Sequence, residues 1–382
     1  MHGSFSRQSG VALIAALLLM TSIMFILGNI FYRHQINVAQ ATLTIHQDQA
    51  YLLALSAESW ARQLLDEDKD NSNADHFEEL WAQAIPAMPV DGGMVNGCVS
   101  DLQGRFNVNS LHYKSPGELK NALGGDEASF AKTWNNLLRY LDIPVFPGRV
   151  EAVVDWLDNN ASKVGPDGAE QDEYAGLLPP RMIANAIMVE PNELASVLGY
   201  KIFEVQQVMP WLTALPAPKI TPGLPLQPVT ININTASEEL LLALGDILDM
   251  QFRDMVIANR PFETLGDFHD QLKFELALPI AEVKRRWPES VVSVASQFFE
   301  LYIEVTLGEA RIEVRSIIMR SSSGDSVIIS RGLTTVPANV KKDSGSALLE
   351  KLAAGTKFGS DKKLNNKTDE QQVLPACSMI GA

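Results

Sequence analysis

The chain has 382 residues, with 31 basic and 46 acidic side chains, so its net charge is −15. This charge repels a nucleic-acid backbone, and the length is sufficient for two or three domains with their own cores. Hydrophobic residues at 46% and charged residues at 20% exclude a collagen-like or wholly disordered chain. Cys98 and Cys377 are the only cysteines, which is too few for a disulfide scaffold. No C-x-x-C motif is present, which argues against a zinc or dithiol site.

The first predicted element is a helix that begins with an uncharged stretch near the N-terminus. Residues 11–32 contain no charged side chain, and 22 helical residues span a hydrocarbon core of about 30 Å. Only ten residues precede this stretch, and no small-residue cleavage site follows it, as a secretory signal would require. Because proline-free helix formers follow, we predict a transmembrane segment over 11–32 that continues as one helix over 33–68.

A short leader that ends in Gly10 and precedes such a helix resembles the N-terminus of type IV pilins and pseudopilins. The resemblance implies that a prepilin peptidase removes residues 1–10 by cleavage between Gly10 and Val11, after which Val11 is N-methylated. Major pilins carry Glu at the fifth mature position, where this chain has Ala15. Loss of that carboxylate fits a subunit with nothing stacked above it. A plain single-span anchor is the alternative interpretation of this segment.

The remaining chain divides by its residue pattern into strands and helices. We predict a linker and first strands over 84–109, and helices over 110–289 in two lobes that a proline-rich linker, 216–228, separates. Period-two alternation over 297–336 predicts three antiparallel strands, and residues 337–382 have the composition of a disordered tail. The predicted fold class is α+β: a pilin-like long helix against an antiparallel sheet, with a large inserted all-α domain.

A short motif occurs twice in the predicted helical region. Phe-Asn-Val-Asn-Ser at 106–110 recurs as Ile-Asn-Ile-Asn-Thr at 231–235, and a helix start follows each copy. The asparagine, serine and threonine side chains can cap these helices. The second copy resembles the helix-hairpin-helix, or SAM-like, class, but it retains only Gly245 of the hairpin glycines. Residues 231–270 contain two arginines and eight acidic residues, a net charge of −6, which favours a packing module over phosphate binding.

Residues 155–173 form an acidic segment with six carboxylates, one lysine and a glycine-rich turn. Oxygen ligands without histidine or cysteine, on a loop that folds back on itself, suit calcium, which accepts irregular geometry. A solvated acidic loop is the alternative interpretation. Paired-carboxylate catalysis needs a raised pKa in a cleft, and this polar segment does not indicate one.

The leader with Ala15, the acidic segment, the repeated motif and the late strands together resemble the minor pseudopilin K family of bacterial type II secretion, over about residues 1–335. The resemblance implies a pilin fold with an inserted α-domain that binds calcium. The residues carried over as calcium ligands are Asp155, Asp158, Asn160, Glu170, Asp172 and Glu173.

The family also implies a location and partners. The chain would span the inner membrane once, with its bulk in the periplasm, at the tip of the pseudopilus, where it initiates or caps assembly and supports protein export across the outer membrane. Its partners would be the minor pseudopilins I and J, with H linking the tip to the major pseudopilin G. In an oxidising periplasm, Cys98 and Cys377 either form a disulfide that ties the tail to the body or remain free.

Two functions from other classes remain as alternatives. One is a membrane-anchored, competence-type DNA-binding protein that uses the helix-hairpin-helix copy; the other is a membrane-bound hydrolase that uses the acidic segment. The chain contains no G-x-S-x-G, H-E-x-x-H or phosphate-loop motif, so we expect no enzymatic activity.

Overall fold

A computed structural model describes residues 9–83, 87–113, 115–216, 228–245, 250–321 and 325–337. Its first element is α1 (Ser9–Asn71), a continuous helix of 63 residues. The side chains of residues 11–45 are exposed, and this half is long and apolar enough to cross a membrane. The second half packs under a sheet through small and aliphatic side chains, namely Ala50, Ala54, Ala61, Leu64 and Leu65.

After α1 the chain forms the first two strands of the main sheet and then enters the insertion. The strands are β1 (Met88–Val90) and β2 (Gly93–Asp101). The first part of the insertion contains β3 (Phe106–Asn107), α2 (Pro116–Gly124), α3 (Phe130–Tyr140), α4 (Arg149–Leu157), α5 (Gln171–Ala175), α6 (Ile202–Val208) and β4 (Leu212–Thr213). The second part contains β5 (Ile231–Asn232), α7 (Glu238–Leu244), α8 (Met250–Asn259), α9 (Leu265–Glu275), α10 (Ile280–Arg286) and β6 (Val292–Ser293). Short 3-10 turns cover Leu80–Ala82, Val108–Ser110, Pro191–Ser196 and Met209–Trp211.

Three long strands complete the main sheet: β7 (Phe298–Leu307), β8 (Ala310–Arg320) and β9 (Ser326–Pro337). The strand order is β1-β2-β7-β8-β9, and every neighbouring pair is antiparallel. Alternate residues of β7, including Leu301, Ile303 and Val305, pack with α1 in one apolar cluster, as the period-two pattern predicts. The insertion has its own larger core, which includes Phe106, Trp134 and Phe252.

The sheet has one end near the apolar half of α1 and one end away from it. At the first end, the β7–β8 turn approaches His46: Gly308 has a φ of 56°, and a Cβ there would lie 2.6 Å from the Nδ1 atom of His46. At the other end, Arg320 of β8 donates to the carbonyl oxygen of Leu65. The insertion leaves the sheet at Asp101 and returns at Phe298, which both lie at this second end. It therefore extends beyond the end of the sheet that is remote from the apolar half of α1.

The α+β class with a long N-terminal helix against an antiparallel sheet is confirmed. One detail of the insertion differs from the sequence prediction. Its two motif copies form short parallel pairs, β3 with β4 and β5 with β6, because the extended Asn-x-Asn backbone pairs with the chain that returns from each helical region. Most of the predicted linker, the leader and the predicted tail lie outside the described residues.

Candidate functional site

The acidic segment connects the end of α4 to the start of α5. Asp155, in the last turn of α4, is fully buried and accepts hydrogen bonds from the backbone N–H groups of Val164 and Ala169, both at 2.7 Å. A Cβ on Gly168 would lie 2.2 Å from Oδ2 of Asp155, so only glycine permits this approach. Asp155 therefore fixes the return of the loop, and burial raises its pKa to about 6 against the effect of these two hydrogen bonds.

Glu170, which precedes α5, is buried, and neither oxygen of its carboxylate has a hydrogen-bond partner. Burial raises the pKa of Glu170, and the nearby charges of Asp155 and Asp158 raise it further. A buried carboxylate that lacks donors is costly, and a bound cation would remove that cost. The donor set therefore fits a hard cation such as calcium at Glu170.

The other four predicted ligands differ in their environment. Asp158 is buried and accepts from the backbone N–H of Asn160 at 3.0 Å, whereas Asn160 is exposed and its Oδ1 accepts from Ser162. Glu173 forms an ion pair with Lys163 and accepts from the backbone N–H of Glu170. The fold thus brings Asp155, Asp158 and Glu173 near Glu170, while Asn160 and Asp172 remain exposed.

A second carboxylate cluster, which the sequence reasoning missed, lies where α1, the sheet and the insertion meet. Among the described residues, Asp68, Asp75 and Glu79 form the set of three acidic side chains whose ligand atoms lie within 4.8 Å of one another. Arg320 compensates this charge by donating to Asp68 at 3.0 Å and to Asp75. The three carboxylates are close in sequence, but Arg320, which compensates their charge, is about 250 positions away, so no local motif indicates this cluster.

Asp101 extends this junction cluster, which we define as Asp68, Asp75, Glu79, Asp101 and Arg320. Its Oδ1 accepts from the backbone N–H of Gln103 at 2.7 Å. Its Oδ2 accepts from Asn232 at 3.0 Å, Thr235 at 2.5 Å and Ser296 at 2.6 Å. Burial raises the pKa of Asp101 to about 6, although these hydrogen bonds oppose the shift. Four donors on one carboxylate indicate a structural joint between β2 and the second motif copy.

The asparagines of the repeated motif hold loops together. Asn109 donates to the carbonyl of Met188 at 2.9 Å and accepts from its N–H at 2.8 Å. Asn234 makes the same pair of bonds with Phe262, at 3.0 Å and 2.9 Å. For α2 and α7 the predicted capping by the motif side chains is wrong, because Ser115 and Ser237 are the N-caps of these helices. Asn107 does cap the 3-10 turn Val108–Ser110, since its side chain accepts from the backbone N–H of Asn109. The repeated motif is a structural module in both copies.

Both arginines of the helix-hairpin-helix copy bind within the protein. Arg253 pairs with Asp254 and Glu238, and Arg260 donates to the backbone carbonyls of Asn234 and Ala236. Gly245 ends α7, and residues 246–249 lie outside the described ranges. Neither arginine is placed to bind a phosphate, which disfavours the DNA-binding alternative.

The remaining predicted site residues lie in α1 and β2. Gly10 and Val11 are within the first turns of α1, and Ala15 follows on the exposed helix surface. The first turn of α1 has no acidic side chain. Cys98 is fully buried in β2, and Cys377 lies outside the described residues, so their pairing stays a prediction.

Two family models match the insertion. Both are described as type II secretion system (T2SS), protein K, and they match residues 104–217 and 231–283. The chain belongs to the type II secretion system protein K family. A family member from Aeromonas hydrophila is 29% identical over 339 residues, which cover 86% of this chain and 98% of the relative. One from Pseudomonas aeruginosa is 26% identical over 337 residues, with 85% and 93% covered.

A solved structure supports the fold. A chain from the crystal structure of the GspK–GspI–GspJ complex of enterotoxigenic Escherichia coli superposes with a TM-score of 0.60. The identity is 24%, and the likeness covers 75% of this chain and 96% of the other. Together with the family models, these findings confirm the class expected from the sequence, a minor pseudopilin of type II secretion and thus a structural secretion component.

Proposed function

We propose that this protein K family member occupies the tip of the type II secretion pseudopilus, where it initiates or caps assembly and supports protein export across the outer membrane. The observation that carries this proposal is the position of the insertion. It extends from the end of the sheet at Asp101 and Phe298, away from the apolar half of α1. A subunit stacked on that end would clash with the insertion, whereas subunits below it would not.

The N-terminus supports the same location. Pilins stack through a carboxylate at the fifth mature position that neutralises a neighbouring amino terminus, and Ala15 cannot make this pair. Residues 1–32 contain no acidic side chain, so no neighbouring carboxylate of α1 can replace the missing one. A tip subunit has no such neighbour, so the substitution costs it nothing.

The partners follow from the family. The matched crystal structure is named as a complex of GspK with GspI and GspJ. We expect this chain to assemble likewise with minor pseudopilins I and J, and through H with the major pseudopilin G. Nucleic-acid binding is not part of this proposal, and the internal pairing of Arg253 and Arg260 supports its omission.

Membrane location and processing complete the proposal. The exposed apolar half of α1 is the single inner-membrane span, and the sheet and insertion lie in the periplasm. Prepilin peptidase cleaves between Gly10 and Val11, and Val11 is then methylated. The same helix therefore serves first as an anchor and later as the spine that packs into the pseudopilus.

Calcium binding in the acidic segment is part of the proposed function. Glu170 and Asp158 would hold the ion directly, and Asp155 would position the loop, because both of its oxygens already accept backbone N–H groups. Glu173 would join them after it separates from Lys163, and Asn160 and Asp172 complete the proposed ligand set from the loop surface. The ion would neutralise buried charge and fix the loop between α4 and α5.

The test is assembly in a strain that lacks this chain and produces the other pseudopilins. We expect the full-length chain to restore secretion and to co-purify with I and J. A variant without the insertion between Asp101 and Phe298 should not cap the pseudopilus. Replacing Ala15 with Glu provides the sharper control, because it restores the acid of a stackable subunit without changing the folded domain. Secretion and pseudopilus number that do not depend on the chain would contradict the proposal.

A further inference from the structure

One face of the sheet contains a buried patch that α1 does not cover. Cys98 of β2 lies directly opposite Tyr302 of β7, and both point away from α1, since the alternating neighbours Val99, Leu301 and Ile303 pack against it. Cys98 is 0% exposed and Tyr302 is 8% exposed. Neither belongs to the three apolar clusters that the described residues form.

Ser100 lies two residues along β2 on the same face. It is also buried, and its hydroxyl has no hydrogen-bond partner within the described part of the chain. Arg315 lies over the Tyr302 ring, 5.6 Å from its centroid, and the Tyr302 hydroxyl hydrogen-bonds the side chain of Glu313, but neither contact covers Cys98 or Ser100. We call Cys98, Ser100 and Tyr302 the outer patch. Its burial indicates that a further segment lies over it.

The sequence contains one segment suited to this position. Cys377 is the other cysteine of the chain, and it lies in Val-Leu-Pro-Ala-Cys-Ser-Met-Ile at 373–380, where six of eight residues are apolar. Residues 338–372 contain all seven lysines of the C-terminal region and have a much more polar composition. An apolar stretch around a cysteine matches a buried surface that contains a cysteine.

The chain is long enough to reach the patch. Pro337 pairs with Ala310, which pairs with Leu307, and Tyr302 is five residues along β7. This is about 17 Å along the strands and about 14 Å across them. The 40 residues from Pro337 to Cys377 can span on the order of 100 Å, so the connection is unstrained.

We infer that residues 373–380 dock on the outer patch and that Cys377 forms a disulfide with Cys98, so that the C-terminal segment becomes a strap across the sheet. The bond forms when a disulfide oxidant accepts two electrons and two protons from the two thiols and is itself reduced to two thiols. The inference rests on the proposed periplasmic location, where such oxidants act. The disulfide closes a loop that includes the whole insertion and the three late strands.

The direct test is peptide mapping of the full-length chain, purified from membranes in detergent with free thiols blocked at lysis. Tryptic cleavage after Lys69, Arg105 and Lys367 places the cysteines in peptides 70–105 and 368–382. We expect these two peptides to be joined before reduction and separate after it. Two alkylated thiols, or a link between two copies of the same peptide, would overturn the inference.

Variants separate the strap from its covalent bond. Cys377→Ser should lower the melting temperature by at least about 5 °C, because closing a loop of this length restricts the unfolded chain strongly. Leu374→Asp should keep the bond but increase hydrogen exchange in β2 around Ser100, whereas Lys363→Asp, in the polar part of the segment, should not. Unchanged exchange in the Leu374 variant would contradict docking. Co-purification with I and J reports the proposed function separately, since a failed strap would not abolish it.

Discussion

The protein contains two clusters of buried carboxylates that differ in how their charge is compensated. At the junction cluster, Arg320 pairs with Asp68 and Asp75, and Asp101 accepts four hydrogen bonds. In the acidic segment, Glu170 is buried with both oxygens unpartnered. A cluster that the protein itself satisfies joins elements of the fold, whereas a cluster left unsatisfied is suited to a ligand. If the closeness of acidic side chains were the only criterion, the junction cluster and not the acidic segment would be chosen as the metal site.

The largest expected effect is at Arg320. Arg320→Met would leave Asp68 and Asp75 buried without their cation, so we expect a loss of about 3–5 kcal/mol in the free energy of unfolding. Denaturant unfolding of the full chain measures this loss. Arg315→Met, at an exposed residue of the same strand, is the matched control and should cost less than about 1 kcal/mol. An equal loss in the free energy of unfolding for the two variants would contradict a structural role for the junction cluster.

Calcium should distinguish the two clusters. With calcium at about 100 times its dissociation constant, we expect stabilisation of about 2.7 kcal/mol, seen as a rise in melting temperature against a chelated sample. Glu170→Gln should abolish this rise and should stabilise the calcium-free protein, because it removes an unpaired buried charge. Asp68→Asn, at the junction, should leave the calcium response intact. A calcium response that survives Glu170→Gln would place the ion elsewhere.

The pH dependence at Asp101 sharpens the comparison further. Its pKa is raised from 3.8 to about 6 by burial, so the folded state binds the proton more tightly than the unfolded state. The stability that this group contributes is therefore complete below pH 3.8 and is lost as the pH rises through about 6. Calcium-free unfolding at several pH values should show a stability difference between wild type and Asp101→Asn that falls across this window. A difference independent of pH would show that Asp101 keeps the same charge throughout.

The smallest expected effect on stability is at Lys163. This lysine is on the surface and pairs with Glu173 in the acidic segment. Lys163→Met should barely change the melting temperature, since exposed ion pairs contribute little. It should increase calcium affinity, because it removes a positive charge and releases a predicted ligand. Calorimetric titration measures the affinity, and weaker binding by the variant would mean that Lys163 supports the loop.

The sequence predicted the fold where the residue pattern is regular over many positions. The uncharged stretch and its proline-free continuation predicted the helix that ends at Asn71. The alternation of Leu301, Ile303 and Val305 predicted a strand, which packs against this helix. The acidic segment was visible because its residues are close in sequence.

The missed features depend on residues far apart in the chain. Arg320 meets Asp68 and Asp75 across about 250 positions, and no local pattern indicates such a contact. The roles of Asn109 and Asn234 were mistaken for a similar reason. Local rules predict helix caps for them, whereas distant loops at Met188 and Phe262 offer both a donor and an acceptor.

The most direct test of the central claim, that this is a processed pseudopilin and not a permanent anchor, is the N-terminal mass and sequence of the full chain from membranes of cells with an active prepilin peptidase. We predict a mature chain that begins with methylated Val11, since only removal of the leader frees α1 to pack into a pseudopilus. A chain that still begins at Met1 or His2 would contradict the claim and would leave an anchored periplasmic domain.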